Sequence, residues 1–535
     1  MSKAPPRHPS AWSPLQQSLF RALWLASVAS NIGTWMQNVG AAWLMTSLAP
    51  SPTLVALVQA ATSLPVFLVG LPSGAIADLI DRRRLLLVTQ AWMLLAASAL
   101  GLLTMLGAMT PWALLALTFA LGLGAAMNAP AWQAIIPELV GDTELRAAVT
   151  LNGIGYNVAR AVGPALGGMV VATFGSGAVF LLNALSFLGV MIVLYRWPRV
   201  SRDSKMPAED VFGAMRAGAR YVRHAPMVQA VLIRTAAFIF GGSALWALLP
   251  LVARDELGLD ATGYGVILGC LGAGAVIGGV FLPRIEQRLS TDTMLAGAIV
   301  LFAATTAGPV YAPHFALLCA VMIVGGVAWI AIMSTFNVAA QVTVPAWVRA
   351  RALAVYGIIA QGGVAVGSAF WGIVAERLSL ATTLVCAAAA LVLSLIVSFR
   401  YRLKLEEETD FSPSGHWPEP VLSQQPAPDA GPVLITVEYL IDVERAQDFT
   451  TAMHGLRSQR LRDGAYRWGL YNDSAVPTRF VETFVVESWA EHLRQHDRVT
   501  ITDKAAEDIA RAFHIGASAP VISHLIYARA AAPKS

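Results

Sequence analysis

Long apolar runs separated by short polar breaks organise the first four hundred residues. Six runs lie at 20–47, 53–76, 85–107, 112–136, 147–173 and 177–196. After a polar stretch, six more follow at 228–252, 261–283, 292–311, 314–337, 351–375 and 380–400. Each approaches or exceeds the roughly 20 largely apolar residues that a helix needs to cross a bilayer. Gly and Pro interrupt several runs, as transmembrane helices tolerate. The pattern therefore predicts an all-α membrane protein of twelve transmembrane helices.

The pattern changes between the halves and again at the end. Glu209–Arg223 places Val211, Phe212, Met215, Ala219 and Val222 on one helical face and Arg216, Arg220 and Arg223 on the other, which predicts an interfacial helix against anionic lipid. Residues 404–432, with Pro413, Pro418, Pro420, Pro426, Pro428 and Pro432, read as a linker. Beyond it the order is a strand at Val433–Ile441, a helix at Val443–Leu456, strands at Ala465–Tyr471 and Phe480–Glu487, a helix at Ser488–Phe513 and a strand at Pro520–Tyr527. That β-α-β-β-α-β order predicts a small α+β ferredoxin-like domain. The expected divisions are a six-helix bundle at 1–196, a cytoplasmic linker with an amphipathic helix at 197–227, a second bundle at 228–403, the Pro-rich linker at 404–432 and a cytoplasmic domain at 433–535.

Composition sharpens this picture. The chain is 56% hydrophobic and 13% charged, against about 45–50% and about 25% in soluble domains. Too little charge remains to cover a water-soluble surface of this size, and the charge deficit falls on the first four hundred residues. Cys270, Cys319 and Cys386 all lie in apolar runs and imply no disulfide framework. The Pro-rich start to Pro14 leads into the first run with no small-residue cleavage site, so no removable leader is expected. The basic balance, 37 Lys+Arg against 33 Asp+Glu, reports orientation rather than a nucleic-acid partner. Arg82, Arg83, Arg84, Arg146, Arg196, Arg199, Arg284, Arg288, Arg349, Arg351, Arg400 and Arg402 all fall on one side, while Arg254 and Arg377 fall on the other. Both termini are expected to be cytoplasmic, in a multi-pass protein of the plasma (inner) membrane.

An internal repeat is visible. Gly153, Ile154, Ala161, Val162, Gly163, Ala165 and Gly168 recur 204 positions on as Gly357, Ile358, Ala365, Val366, Gly367, Ala369 and Gly372. Gln133 and Pro137 recur as Gln341 and Pro345. Two parallel six-helix repeats would place a substrate between them.

Two motifs stand out. Gly74-x-x-x-Asp78-x-x-Asp81-Arg82-Arg83-Arg84 ends the second run. Its glycine is expected to let helices approach, and Asp78 to make a contact that forms in one conformation and breaks in another. The alternative is a basic cluster that only sets topology. Gly163-Pro164-Ala165-Leu166-Gly167-Gly168 predicts a kinked, tightly packed helix.

These residues resemble the major facilitator superfamily, in its enterobactin-exporter-like branch. The first motif resembles the loop signature between spans two and three, and the second the antiporter motif. Asn31–Gln37, Gln133–Val140 and Ser488–His496 are further matches. Leu79, Asp81 and Ala159 depart from the motifs, and Pro283 stands where the second half would carry an aspartate, which puts any conformational lock in the first half. The resemblance implies a secondary exporter of a small molecule (siderophore, drug or metabolite) working by alternating access in exchange for protons. An importer of the same fold is the alternative, as is a transporter fused to a cytoplasmic enzyme or ligand-sensing domain. The tail is similar in topology to dimeric α/β-barrel modules of the cofactor-independent monooxygenase type, which leaves open a dimer contact there.

Arg160 sits mid-span, where a charge is costly unless it faces a cavity or partner. It reads either as an anion-attracting or gating contact or as a structural arginine capped by carbonyls or Asn157. Asn31, Gln37, Asn38, Asn157, Asn337 and Gln361 are the other candidate cavity residues, each equally suited to bonding between helices. Arg234, nearer a span end, is expected to snorkel. No lysine follows a glycine, so no phosphate-binding P-loop exists. His492 and His496 share one helical face, and a solvated face is their expected role. No catalytic residue, cofactor or metal is expected; the expected partners are the lipid bilayer, the substrate and coupling protons.

Overall fold

The computed structural model describes residues 12–141, 143–197, 211–312, 314–403, 410–417, 422 and 424–528, without the side chains of 75, 78, 79 and 211–215. The helices are α1 (Ser18–Leu48), α2 (Pro52–Leu79), α3 (Arg82–Met105), α4 (Pro111–Leu139), α5 (Leu145–Phe174), α6 (Ser176–Arg196), α7 (Val211–His224), α8 (Pro226–Leu251), α9 (Ala261–Glu286), α10 (Thr291–Tyr311), α11 (Phe315–Val342), α12 (Ala346–Arg377) and α13 (Leu380–Arg400). Ser51, Thr110, Asp260, Ser290 and Ser379 start α2, α4, α9, α10 and α13, each side chain accepting from the backbone N–H three residues on.

Among the described residues, ten helices are long and apolar enough to cross a membrane. The other two long helices, α1 and α5, have 31 and 30 residues. They carry more polar side chains, among them Asn31, Gln37 and Asn38 in α1 and Asn152, Asn157 and Arg160 in α5.

The helical part divides into two halves that mirror each other in their glycine contacts. A Cβ on Gly163 would run into Trp35 of α1, and one on Gly168 would run into the Ala261 carbonyl of α9. At the repeated positions, Gly367 meets Phe240 and Ser243 of α8, and Gly372 meets Thr53 and Ala56 of α2. Each repeat helix thus packs against the first helix of its own half and the second helix of the other. Gly272 completes the α5–α9 seam: its added Cβ would lie 2.8 Å from the Arg160 carbonyl. Pro164 has no N–H to bond that carbonyl four residues back.

One end of this part ties the halves together. Arg254, in the turn after α8, donates to Thr46 at 2.9 Å and Ser47 at 3.2 Å at the end of α1. Glu376, at the end of α12, accepts from the Ser51 hydroxyl at 2.7 Å and the Thr53 amide at 3.0 Å. Trp43 stacks on Tyr264 with ring centroids 6.1 Å apart.

The second compact unit comprises 206–231, 338–355 and 403–535. Its last hundred residues form β1 (Val433–Leu440), α14 (Ala446–Asp463), β2 (Arg467–Asn472), β3 (Arg479–Val486), α15 (Trp489–Arg498), α16 (Ile501–Arg511) and β4 (Val521–Ile526). The sheet is antiparallel in the order β2-β3-β1-β4, with Ile435 opposite both Phe484 and His524. Alternate residues Val433, Ile435, Val437 and Tyr439 enter the core beside Phe449, Met453 and Phe484. The single helix expected over Ser488–Phe513 is two. Val499 ends α15, and Thr500 starts α16 with a capping box in which its side chain and that of Asp503 each accept from the other's backbone N–H.

Residues of the expected linker are bonded into this domain. Pro413 bridges to Thr500, and His416 and Trp417 reach Glu507 at 2.9 and 3.0 Å.

Candidate functional site

Within the helical part, α1, α2, α5, α8, α9, α11 and α12 enclose a cavity of about 330 Å³. That is within the usual range for small-molecule sites, ~300–1,000 Å³. Of the residues singled out from sequence, Asn31, Asn38, Arg160 and Gln361 line it. Gln37, Asn157 and Asn337 are not in its wall. Gln37 is buried and accepts from Asn183 of α6, so it bonds helix to helix within the first half. Asn157 returns its amide to the Gly153 carbonyl at 3.0 Å, one turn back on its own helix. Asn337 is exposed.

Arg160 is the one charged residue in the cavity wall among the described residues. Its Nε and Nη2 are buried and have no hydrogen-bond partner. The guanidinium carbon lies 5.9 Å from the centroid of the Trp246 ring, and the Trp246 Nε1 is likewise buried and unbonded. Neither a carbonyl nor Asn157 caps the side chain, which removes the structural alternative in that form. Unpaired donors in an apolar enclosure favour a ligand bearing negative charge or several acceptors. Tyr156, Trp246, Tyr264 and Trp329 supply aromatic walls. Nothing in their spacing along the sequence marked them out.

Arg234 does not snorkel. It is 2% exposed, pairs with Asp292 of α10 and donates to the Tyr401 carbonyl at 3.4 Å. The half-exposed Asp292 carboxylate, in the first turn of α10, holds the guanidinium there.

The two sequence motifs occupy other places. Gly163, Gly167 and Gly168 build the seams of α5; a Cβ on Gly167 would stand 2.7 Å from the Met36 Cα. Pro164 lies between them in the same helix. In the first motif, Arg82 donates to Glu138 at 2.9 Å and the Ala134 carbonyl at 3.2 Å. Arg83 donates to the carbonyls of Leu194 and Tyr195. Asp81 caps α3 by accepting from the Arg84 amide. The side chain of Asp78 lies outside the described residues. Gly74 is not a close-approach residue: a Cβ there would meet nothing within 4 Å, because no neighbouring helix passes that face.

The second unit holds its own cavity, about 340 Å³, between the sheet and α14, α15 and α16. His492 and His496 face into it rather than into solvent, and His492 is 1% exposed. Burial, with the charges His496 and His524 would carry, pushes the His492 imidazole down to about 3. Burial alone would raise Glu507, but the Arg460 charge and hydrogen bonds from His416, Arg460 and Trp417 outweigh it and hold the carboxyl at about 2.

The basic face of α7 also has an unexpected partner. Arg216 pairs with Glu487 at 3.0 Å and Arg220 with Glu491 at 2.7 Å. Arg498 joins Glu491 at 2.7 Å and lies 4.3 Å from the Trp347 ring centroid, next to the start of α12. Protein carboxylates, rather than lipid headgroups, take up the two arginines.

Ten apolar helices of span length among the described residues, with a cavity of unbonded donors enclosed by α1, α2, α5, α8, α9, α11 and α12, define a helical membrane transporter. The sequence profile of the family described as transmembrane secretion effector matches residues 9–532, and the chain belongs to that family of major facilitator superfamily transporters. It is a transporter and not an enzyme. It is 23% identical to the staphyloferrin A transporter of Staphylococcus aureus over 70% of this chain and 95% of that protein. It is 25% identical to the multidrug efflux pump Tap of Mycolicibacterium fortuitum over 71% and 95%. The enterobactin exporter EntS of Shigella boydii is 23% identical over 50% of this chain and 64% of its own length. Among solved structures, a bacterial homologue of the iron transporter ferroportin in an inward-facing state matches with a TM-score of 0.56 at 17% identity, covering 72% of this chain and 98% of that one.

Proposed function

We propose that the protein is a twelve-span secondary exporter of a small, acceptor-rich or anionic molecule, working by alternating access. Arg160 is the observation that carries the reading: a half-buried arginine whose buried Nε and Nη2 make no hydrogen bond among the described residues, in a cavity bounded by helices of both halves. The relatives named above support a siderophore or drug as cargo. The Arg254 and Glu376 bonds between the halves support a state closed at that end. With the arginine-rich end placed in the cytoplasm, that state faces inward, both termini are cytoplasmic and the membrane is the plasma membrane. Asn31, Asn38 and Gln361 would orient the cargo.

Proton exchange belongs to the same reading. No carboxylate or histidine lines the cavity among the described residues. A coupling proton would therefore be carried by a group outside the cavity. The C-terminal domain, read as ferredoxin-like from its element and strand order, serves a regulatory or dimerising role; β4 is an edge strand with Val521 and Leu525 exposed.

The test uses everted membrane vesicles with an imposed pH gradient and staphyloferrin A, enterobactin or a macrolide as probe. Gradient-driven accumulation that is lost in Arg160→Gln, at unchanged membrane content of the protein, is the expected result. Accumulation only in right-side-out vesicles would make the protein an importer. Unchanged accumulation in Arg160→Gln would remove the site assignment.

A further inference from the structure

The cavity of the C-terminal domain has a chemistry that the transport reading leaves unused. Its ionic groups are closed on one another. Arg460 bonds Glu482 at 3.0 Å and also Glu507, and Arg511 lies 3.7 Å from Glu507. His416 and the Trp417 indole N–H also bond Glu507. Among the described residues, two arginines thus stand against two carboxylates.

What the wall offers is aromatic surface and neutral imidazole. The Trp417 ring covers Arg460 at 5.0 Å and meets the His496 ring edge-on at 5.1 Å. His492 contacts His496 at 4.9 Å and His524 at 4.7 Å between ring centroids. The two Nε2 atoms of His492 and His496 are 3.3 Å apart, and His492 Nδ1 is 3.4 Å from the Gln495 carbonyl oxygen. One imidazole donates to the other, as uncharged rings do. Among the described residues no three His, Cys, Asp or Glu side chains are arranged to hold a metal ion.

We propose that this cavity is a binding site for a small uncharged aromatic molecule bearing a hydroxyl or similar hydrogen-bonding group. Rings stack against Trp417 and the histidines, and an imidazole nitrogen exchanges a hydrogen bond with the hydroxyl. The volume, about 340 Å³, accommodates a two-ring molecule. α15 forms the wall with His492 and His496, while its neighbouring residues Glu491 and Arg498 hold Arg220 of α7 and Trp347. Occupancy is thereby read by the elements that lead into α8 and α12. The site shares no lining residue with the helical cavity, so this inference stands or falls separately from the export reading.

The test is calorimetric titration of 2-naphthol into the full chain in lipid nanodiscs, with Ser523→Phe as the cavity-filling variant. Ser523 lines the cavity at a half-buried position of β4, where a larger side chain fits without breaking the sheet. Saturable binding at one per chain is expected, at least tenfold weaker in Ser523→Phe. It should also be at least tenfold weaker for 2-naphthalenesulfonate and for 1-naphthylmethylammonium. Amide exchange in α15 should slow on saturation. Equal heats in both proteins would overturn the proposal, as would tighter binding of either charged naphthalene. Stoichiometric zinc binding without naphthol binding would also overturn it. A variant that loses the native exchange protection of β1 would be replaced by His496→Ala, with the same expectation.

Discussion

Two arginines in two cavities meet opposite fates. Arg460 lies in the C-terminal domain between Glu482 and Glu507, and its charge is held well above ordinary basicity: burial lowers it, but the two carboxylates more than compensate. Arg160 lies in the helical part with Nε and Nη2 unbonded. Arg460, whose donors are answered by carboxylates, is a structural element; Arg160, with unbonded donors at a cavity wall, is the proposed ligand contact.

The largest expected effect tests the saturated member. Arg460→Met leaves Glu482 buried without a counter-charge, and Glu507 with only Arg511 at 3.7 Å and His416, and should destabilise the domain by about 3–5 kcal/mol, read by amide exchange in β1. Replacing Glu482 and Glu507 by Gln in the same chain should recover most of that loss. A single variant as stable as the parent would break the contrast.

Next comes the unsaturated member. Arg160→Gln should reduce vesicle transport at least tenfold, roughly 1.4 kcal/mol, with no loss of thermal stability. Arg160→Lys, which keeps the charge but loses the planar fork, should retain part of the activity. A fall in melting temperature instead of transport would move Arg160 into the structural class.

The domain's histidines add a pH signature. His492 is held neutral in the fold at about 3, against about 6.5 in an unfolded chain. The unfolded chain therefore binds the extra proton between those values. Domain stability should be fullest above pH 6.5 and fall toward pH 3, by at most about 1.4 kcal/mol per pH unit from this group. His492→Gln should flatten that slope in exchange measurements on the full chain.

The smallest effect is a control on the glycines. Gly74→Ala should change melting temperature and transport negligibly, because its added Cβ meets nothing. Gly168→Ala, whose Cβ would enter the Ala261 carbonyl, should impair both. Equal effects would mean that the two glycines do not differ in packing.

Much of this was legible in the chain itself. Apolar runs of span length, the arginine bias and the repeated glycines of α5 and α12 follow from bilayer thickness and from the contacts small residues allow, and both are local properties. The polar character of α1 and α5 was visible too, and it marked helices that face the cavity. The roles of individual polar residues were not legible. Asn31, Gln37 and Asn38 lie within two helical turns, yet Gln37 bonds Asn183 while the other two line the cavity. Which side of α1 each occupies depends on how α5 and α6 pack around it.

The same division holds for the whole molecule. Sequence alone marked a membrane protein of many apolar helices with a more charged region of strands and helices after residue 432, because hydrophobic period and composition are written residue by residue. Only the tertiary structure decided which charges are answered. Glu507 stands 47 residues from Arg460 and Asp292 stands 58 from Arg234, while among the described residues no carboxylate pairs with Arg160 and its Nε and Nη2 are unbonded. Electrostatic pairing is a property of distances in space, and those exist only once the helices have packed.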